Sequence, residues 1–238
     1  MAETAEKNNV VNKKDFIELE FIGKNLTNNE VFDSNILEEA KKLNPKVNGV
    51  KPLVICAGYE MLVKGLDDFI VGKEVGKKYN LKLTPEKAFG KRDSKLVRLI
   101  PMKMFLEQKI YPEPGMTLAL DNNLVKVISV SGGRVMVDFN NPLAGKDIEY
   151  EFTIKKKVED IKTKAEALQN FLFNQVFEFD VDEKAKKLIF KDVKLTPILN
   201  VFKDKFKEIL DHDVEIFEKK EDKKEENKDK KEVVSKTQ

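Results

Sequence analysis

The stretch Gly132-Gly133-Arg134-Val135-Met136-Val137-Asp138-Phe139-Asn140-Asn141-Pro142-Leu143-Ala144-Gly145-Lys146 decides how the chain is divided. Val135, Val137 and Phe139 alternate with Met136 and Asp138, the period of a strand with one buried face. Ser131-Gly132-Gly133-Arg134 ahead of it is turn chemistry, because glycine supplies the positive φ that a tight hairpin requires. Asn140, Asn141, Pro142 and Gly145 stop the strand and redirect the chain. The chain here returns to a site that earlier residues prepare.

Composition narrows what that site can do. At 238 residues there is room for about one to two domains and a sizeable core. Charged residues make up 36%, but 44 basic against 42 acidic leaves a net charge of +2 and no global attraction to nucleic acid or anionic membrane. The lysines alternate with acids and form no one-signed patch, which argues further against a nucleic-acid partner. Met1 to Lys14 has no apolar signal region, and no window approaches the roughly 18 apolar residues of a membrane span. A soluble cytoplasmic protein with no membrane partner is expected. Cys56 and His212 are the single cysteine and histidine. They exclude a disulfide framework and almost every Cys/His metal site, along with any Ser-His or Cys-His nucleophile beyond the reach of His212. Cys56, in Leu53-Val54-Ile55-Cys56-Ala57, reads as a small core residue, and His212 as a surface residue at a helix end. Chemistry without nucleophile, metal or cofactor is the expectation.

Working outward from the opening stretch, Phe16 to Ile22 predicts a strand, Asn25 to Asn29 a turn, and Asn35 to Leu43 a helix ended by Asn44-Pro45. Leu53 to Ala57 is a buried strand, Glu60 to Ile70 a short helix closing on Gly72, and Lys78 to Leu83 a strand. Thr84 to Gly90 forms a turn or single helical turn. Leu96 to Met116 is apolar without a clean period. Leu118 to Leu120 and Leu124 to Val130 are strands joined by Asp121-Asn122-Asn123. Downstream, Ile148 to Ile154 alternates strictly, and Thr163 with Glu166 reads as a capping box opening a helix. Val176 to Val181 and Leu188 to Leu195 read as a hairpin, Thr196-Pro197 as an N-cap and first position of another helix, and Val214 to Phe217 as a last strand. Residues 1–13 and 218–238 carry too little to bury and are expected to be disordered.

These pieces resemble a known family. Val31-Phe32-Asp33-Ser34, Gly65-Leu66 with Val71-Gly72-Lys73, Leu81 to Leu83 with Pro85-Glu86, and Ala88-Phe89-Gly90 resemble FKBP-type peptidyl-prolyl isomerases in order and spacing. Arg92-Asp93, Leu96-Val97-Arg98, Ile100-Pro101, Phe105, Gly115-Met116 and Val137 to Lys146 are similar to the SlyD-like branch, in which an insert-in-flap chaperone domain interrupts the isomerase. The resemblance covers Asp15 to Val158, and Glu159 to Phe217 is similar to the extra C-terminal domain of long archaeal-type members.

The resemblance implies an α+β fold: an antiparallel half-barrel sheet around a short helix, a mostly β inserted domain, and a small α/β C-terminal domain. The implied division is 14–90 plus 142–158 for the isomerase, 91–141 for the insert and 159–217 for the C-terminal domain. On that reading Gly132–Lys146 is the return crossing from insert to isomerase. The implied catalytic residues are Phe21, Phe32, Asp33, Leu62, Val63, Leu66, Phe89 and Tyr150, with Leu53 and Ile55 as further pocket walls. In isolation Phe32, Ile55 and Tyr150 would be ordinary core residues and Asp33 a turn residue. Ile100, Met102, Met104, Phe105, Ile110, Tyr111 and Met116 of the insert either form its core or bind client chains.

The implied partners are unfolded or proline-containing polypeptides, with neither cofactor nor metal. X-Pro rotation faces a barrier of roughly 18–20 kcal/mol, because resonance stiffens the planar amide. An apolar pocket disfavours the dipolar planar state more than the twisted one, and so needs no acid or base. Family members usually carry tyrosine where this chain has Phe89, so a hydroxyl that contacts a substrate carbonyl is missing, and Phe21 also lacks one. The alternative is a holdase with little isomerase activity. The C-terminal segment, about sixty residues long, is marginal alone. It is expected to pair with the isomerase body or, as a homodimer, with a second copy.

Overall fold

The computed structural model describes residues 9–120 and 123–216, and these fall into two compact units that divide between Val176 and Phe177. In the first unit the elements begin with β1 (Phe16–Asn25), β2 (Glu30–Ser34), α1 (Leu37–Leu43), β3 (Leu53–Cys56), α2 (Lys64–Ile70) and β4 (Lys78–Leu83). They continue with β5 (Val97–Pro101), α3 (Met102–Glu107), β6 (Thr117–Leu120), β7 (Asn123–Ser131), β8 (Arg134–Asp138), β9 (Ile148–Lys157) and α4 (Ile161–Phe173). The fold is α+β, with two antiparallel sheets in this unit.

The first sheet runs β2-β1-β9-β4, and β3 pairs with the first half of β1. Strict alternation sets its inner face: Ile148, Tyr150, Phe152 and Ile154 of β9 are all buried, and Glu149, Glu151 and Thr153 lie between them. Ile17 and Leu19 of β1, Ile55 of β3, and Leu66 and Ile70 of α2 complete this core. At roughly 1.5–3 kcal/mol for each large apolar side chain buried, these residues hold α2 against the sheet. The second sheet, β5-β8-β7-β6, is continuous in sequence, and Phe105 of α3 packs on Val125, Val127, Val135 and Val137. Its β7–β8 turn has Gly132 at φ 56° and Gly133 at φ 71°, the left-handed conformation expected of that pair.

The chain leaves the first sheet through the turn at Pro85–Lys87 and returns along 139–147. Gly145 N–H donates to the Gly90 carbonyl at 2.8 Å, so the two crossings lie side by side.

The second unit has a β10 (Phe179–Asp182) and β11 (Lys187–Phe190) hairpin, then α5 (Thr196–Leu210) and β12 (Asp213–Ile216) parallel to β11. Phe179 stacks on Phe190 at 5.6 Å, and Phe190 meets Phe206 edge-on at 6.1 Å.

Several expectations are corrected. Disorder was expected through residue 13, but Val10 bridges to Glu74 and Val11 is fully buried. Two valines in a polar run carry no periodic signal, yet the core supplies a slot for one of them. Residues 1–8, Asp121, Asn122, Phe217 and the 218–238 tail lie outside the described residues. The cap of α4 is Asp160 and not Thr163: its carboxylate accepts from Thr163 N–H at 2.8 Å and from the Thr163 hydroxyl at 2.6 Å. Thr196 is the first residue of α5 and not its N-cap, which is Leu195. The Leu96–Met116 segment, read as aperiodic, contains β5 and α3. The units divide after Val176 instead of at 159, because α4 packs on β3.

Candidate active site

Four aromatic rings gather on the inner face of the first sheet, against its core. Phe32 stands in the middle, edge-on to Phe89 at 5.8 Å and to Tyr150 at 5.8 Å, and Tyr150 meets Phe21 at 6.0 Å. Backbone register explains how β2 delivers Phe32. Ile22 pairs with Ser34, Gly23 with Asp33 and Lys24 with Val31, so Phe32 is the extra residue of a bulge. The bulge turns the ring over Gly23, where an added Cβ would lie 2.5 Å from Phe32 Cζ. Gly23 also pairs with Tyr150 of β9, so Asp33, Gly23 and Tyr150 form one row across three strands.

Ser34 and Asn35 fix the bulged strand. The Ser34 hydroxyl donates to the Phe21 carbonyl at 2.8 Å. Asn35 Oδ1 accepts from Phe21 N–H at 2.8 Å, and its Nδ2 donates to the Leu19 carbonyl at 2.7 Å. Asp67 of α2, 3% exposed, does the same for the approach to α2: its carboxylate accepts from Gly58 N–H at 3.0 Å and Glu60 N–H at 2.9 Å. Leu62 and Val63 follow that turn and pack half-buried against the core, and Leu66 lies beneath at 1% exposure. Gly23, Ser34, Asn35 and Asp67 were not singled out from sequence. The Asp33-Ser34-Asn35 run, three short polar residues after a strand, is the signal that could have drawn attention to two of them.

The electrostatics are sparse. Asp33 sits at the rim with its side chain exposed, but desolvation of its carboxyl raises its pKa against the lowering effect of the Ser34 N–H. Burial, and then the charge of Asp33, push the Tyr150 phenol well above its usual range, so it stays protonated. Burial and the nearby Asp67 raise the Cys56 thiol to about 12, which leaves it inert. Among the described residues no group of His, Cys, Asp or Glu converges to hold a metal ion, and no helix is long and apolar enough to cross a membrane.

Not all the residues singled out from sequence come together. Phe21, Phe32, Asp33, Phe89 and Tyr150 do so, with Leu62, Val63 and Leu66 packed on the same core. Leu53 and Ile55 also pack on this core, and on their other side they line a cavity of about 610 Å³, walled by Met61, Ala167 and Phe171, which shares no residue with the ring cluster. The insert residues divide as well: Phe105 is buried with Ile100, Met102 and Ile110 packed around it, whereas Met104, Tyr111 and Met116 are exposed. Leu99 and Leu124 add further exposed apolar surface.

Residues 7–110 match the family model for FKBP-type peptidyl-prolyl cis-trans isomerase, and residues 98–143 match the model described as FKBP26, IF domain. Over 156 residues the chain is 32% identical to a short-type peptidyl-prolyl cis-trans isomerase of Methanocaldococcus jannaschii, covering 65% of this chain and 96% of that relative. The chain belongs to the FKBP-type peptidyl-prolyl cis-trans isomerase family. It is also 36% identical to SlyD of Aeromonas hydrophila, over 45% of this chain and 51% of that protein. With the FKBP-type 16 kDa isomerase of Escherichia coli it shares 29% identity, over 45% of this chain and 74% of that protein. This FKBP-type chain presents one hydroxyl among the four clustered rings, that of Tyr150.

Proposed function

We propose that the chain accelerates cis/trans rotation about X-Pro bonds in unfolded or folding polypeptides, with the prolyl ring received among Phe21, Phe32, Phe89 and Tyr150 above Leu66. The observation that carries this reading is the edge-on ring cluster centred on Phe32, an apolar enclosure with no paired acid and base. Such an enclosure removes water from the amide and penalises the planar, dipolar ground state more than the twisted one. Each ~1.4 kcal/mol of that difference is worth about a factor of ten in rate. Leu62 and Val63 complete the wall, and Asp33 marks the rim.

The insert is the site of client capture. Its exposed Leu99, Met104, Tyr111 and Leu124, at 54–73% exposure, are large apolar side chains of the kind that bind varied sequences. Held beside the pocket on two short crossings, the insert raises the local concentration of proline segments there. The exposed Ile198 and Val201 on α5 support self-association of the C-terminal segment. Light scattering of Val201→Glu against the unaltered chain tests this, and equal monomer masses for both exclude a dimer.

A protease-coupled assay on a proline tetrapeptide, run beside an aggregation assay on a reduced, unfolded protein, tests the main reading. Catalysis above background together with suppressed aggregation is expected. Suppressed aggregation with no catalysis would leave a holdase.

A further inference from the structure

We infer that the Asn48-Gly49 peptide is a modification site, at which the Asn48 amide converts spontaneously to aspartate and isoaspartate. Of the eleven glycines, eight take a positive φ, and Gly23 and Gly65 each sit where an added Cβ would lie 2.5 Å from a neighbouring side chain. Gly49 has neither reason to be glycine: its φ is outside the left-handed region, and nothing lies within 4 Å of its Cβ position. Asn48 and Gly49 are both exposed, in the irregular segment between the turn at Pro45 and β3. Among the described residues neither the Asn48 side-chain amide nor the Gly49 N–H makes a hydrogen bond. Other asparagines differ on both counts. Asn25, Asn35 and Asn140 have their side-chain amides engaged by backbone groups. They precede leucine, isoleucine and asparagine, and Asn48 is the single asparagine followed by glycine.

The reaction balances within this dipeptide and one water molecule. The Gly49 backbone nitrogen attacks Asn48 Cγ, and the new N–Cγ bond closes a five-membered succinimide. The Cγ–Nδ2 bond breaks, and Nδ2 leaves as ammonia with the proton that solvent carries over from the attacking nitrogen. Water then opens the ring. Cleavage of the N–Cγ bond gives aspartate, and cleavage of the original peptide bond gives isoaspartate, whose main chain is longer by one methylene. Glycine at 49 leaves the attacking nitrogen uncrowded. Either product places a new negative charge between the exposed Lys46 and Lys51. Isoaspartate also presents an α-carboxylate of the class that S-adenosylmethionine-dependent carboxyl methyltransferases esterify.

The experiment holds the full chain in warm, mildly alkaline buffer and samples it over weeks. Mass spectrometry of proteolytic peptides locates each amide-to-acid conversion. Methyl transfer from labelled S-adenosylmethionine by an isoaspartate-specific methyltransferase counts the isoaspartate. The peptide that contains Asn48 should convert before any other, and its product should accept methyl groups. Gly49→Ala puts a Cβ into open space, so the variant should keep the parent's thermal midpoint. It should convert about tenfold more slowly, the equivalent of ~1.4 kcal/mol of added barrier. Native and guanidinium-unfolded parent should convert at rates within about fivefold of each other, because the exposed loop needs no opening step. Conversion that begins at another asparagine overturns the inference. So does a Gly49→Ala chain that converts at the parent's rate, or a native chain protected well beyond that margin.

Discussion

The side-chain amide of Asn140 forms a two-way hydrogen-bonded pair with the backbone of Asp93: Oδ1 accepts from the Asp93 N–H at 2.8 Å and Nδ2 donates to the Asp93 carbonyl at 2.9 Å. Asp93 lies on the outgoing crossing to the second sheet and Asn140 on the return, so this pair ties the two crossings together. Asp138 extends the tie. Its Oδ1 accepts from Asn140 N–H at 2.9 Å and from Nδ2 at 2.6 Å, and its Oδ2 accepts from Arg92 Nε at 2.9 Å. Desolvation alone would raise the Asp138 carboxyl, but the hydrogen bonds from Asn140 and Arg92 outweigh it and leave its pKa lowered.

Asn140→Ala removes the three hydrogen bonds of the Asn140 side chain and takes the Oδ1 acceptor from the Asp93 N–H, while the Asp93 carbonyl keeps the Leu96 N–H at 3.2 Å and Arg92 keeps Asp138. A loss of about 2–3 kcal/mol in urea denaturation is expected. Amide exchange should accelerate at 91–97 and 134–141. Isomerisation of a short peptide should stay within about twofold, because the ring cluster is untouched. A parent-like urea midpoint would show that the tie adds nothing to stability.

Glu151 on β9 supplies a pH dependence. Its carboxylate pairs with Lys24 and, at 2.8 Å, with Lys78, and the hydrogen bond from Lys24 is the largest contribution that lowers its pKa from 4.5 to about 2. A carboxyl with a lowered folded-state pKa stabilises fully above its unfolded value. That contribution is lost as pH falls from about 4.5 towards 2. Glu151→Gln should therefore be less stable than the parent at neutral pH by about 1 kcal/mol, and the gap should close across that acid window. Denaturant midpoints for both proteins from pH 7 to 2 measure it, and a gap that stays constant would exclude Glu151 as the titrating group.

Regular alternation made most of the first sheet legible in sequence. Ile148, Tyr150, Phe152 and Ile154 have one periodicity, and each is buried as that periodicity requires. The ring cluster could be assembled only through family resemblance, because Phe21, Phe32, Phe89 and Tyr150 come from four separate segments and no local pattern links them. The bulge at Phe32 was not legible, since it depends on the register of β1 against β2 and leaves no mark in the composition of either strand. Helix α3 escaped for a different reason. At six residues it is too short for helical periodicity to emerge, and it is held by Phe105 in the insert core. Val11 is similar: one apolar side chain, ordered by a slot that exists only after folding.

Asp67 shows how a buried acid can serve structure without catalysis. Both oxygens accept backbone N–H bonds, from Gly58 and Glu60, in the turn that precedes Leu62 and Val63. Asp67→Ala strands both donors and should reduce stability by about 2–4 kcal/mol, whereas Asp67→Asn keeps one acceptor and should lose about half as much. Urea midpoints rank the two variants. Equal losses would mean that packing at this site matters more than the hydrogen bonds.

Gly23 separates pocket geometry from global stability most directly. Its Cβ position lies 2.5 Å from Phe32 Cζ and 2.8 Å from Cε2, closer than nonbonded atoms approach. Phe32 cannot yield freely, because Phe89 and Tyr150 hold it edge-on from two directions at 5.8 Å. Gly23→Ala must therefore displace the central ring or open the pairing of β1 with β2. The expected result is a fall in kcat/KM of tenfold or more, with a stability loss of about 1–3 kcal/mol from overpacking. Adding Phe32→Leu to Gly23→Ala relieves the clash and should recover part of the lost stability. It should leave catalysis low, since the ring that walls the pocket is then gone. Full recovery of both properties in the double variant would show that the Phe32 ring has no part in the reaction.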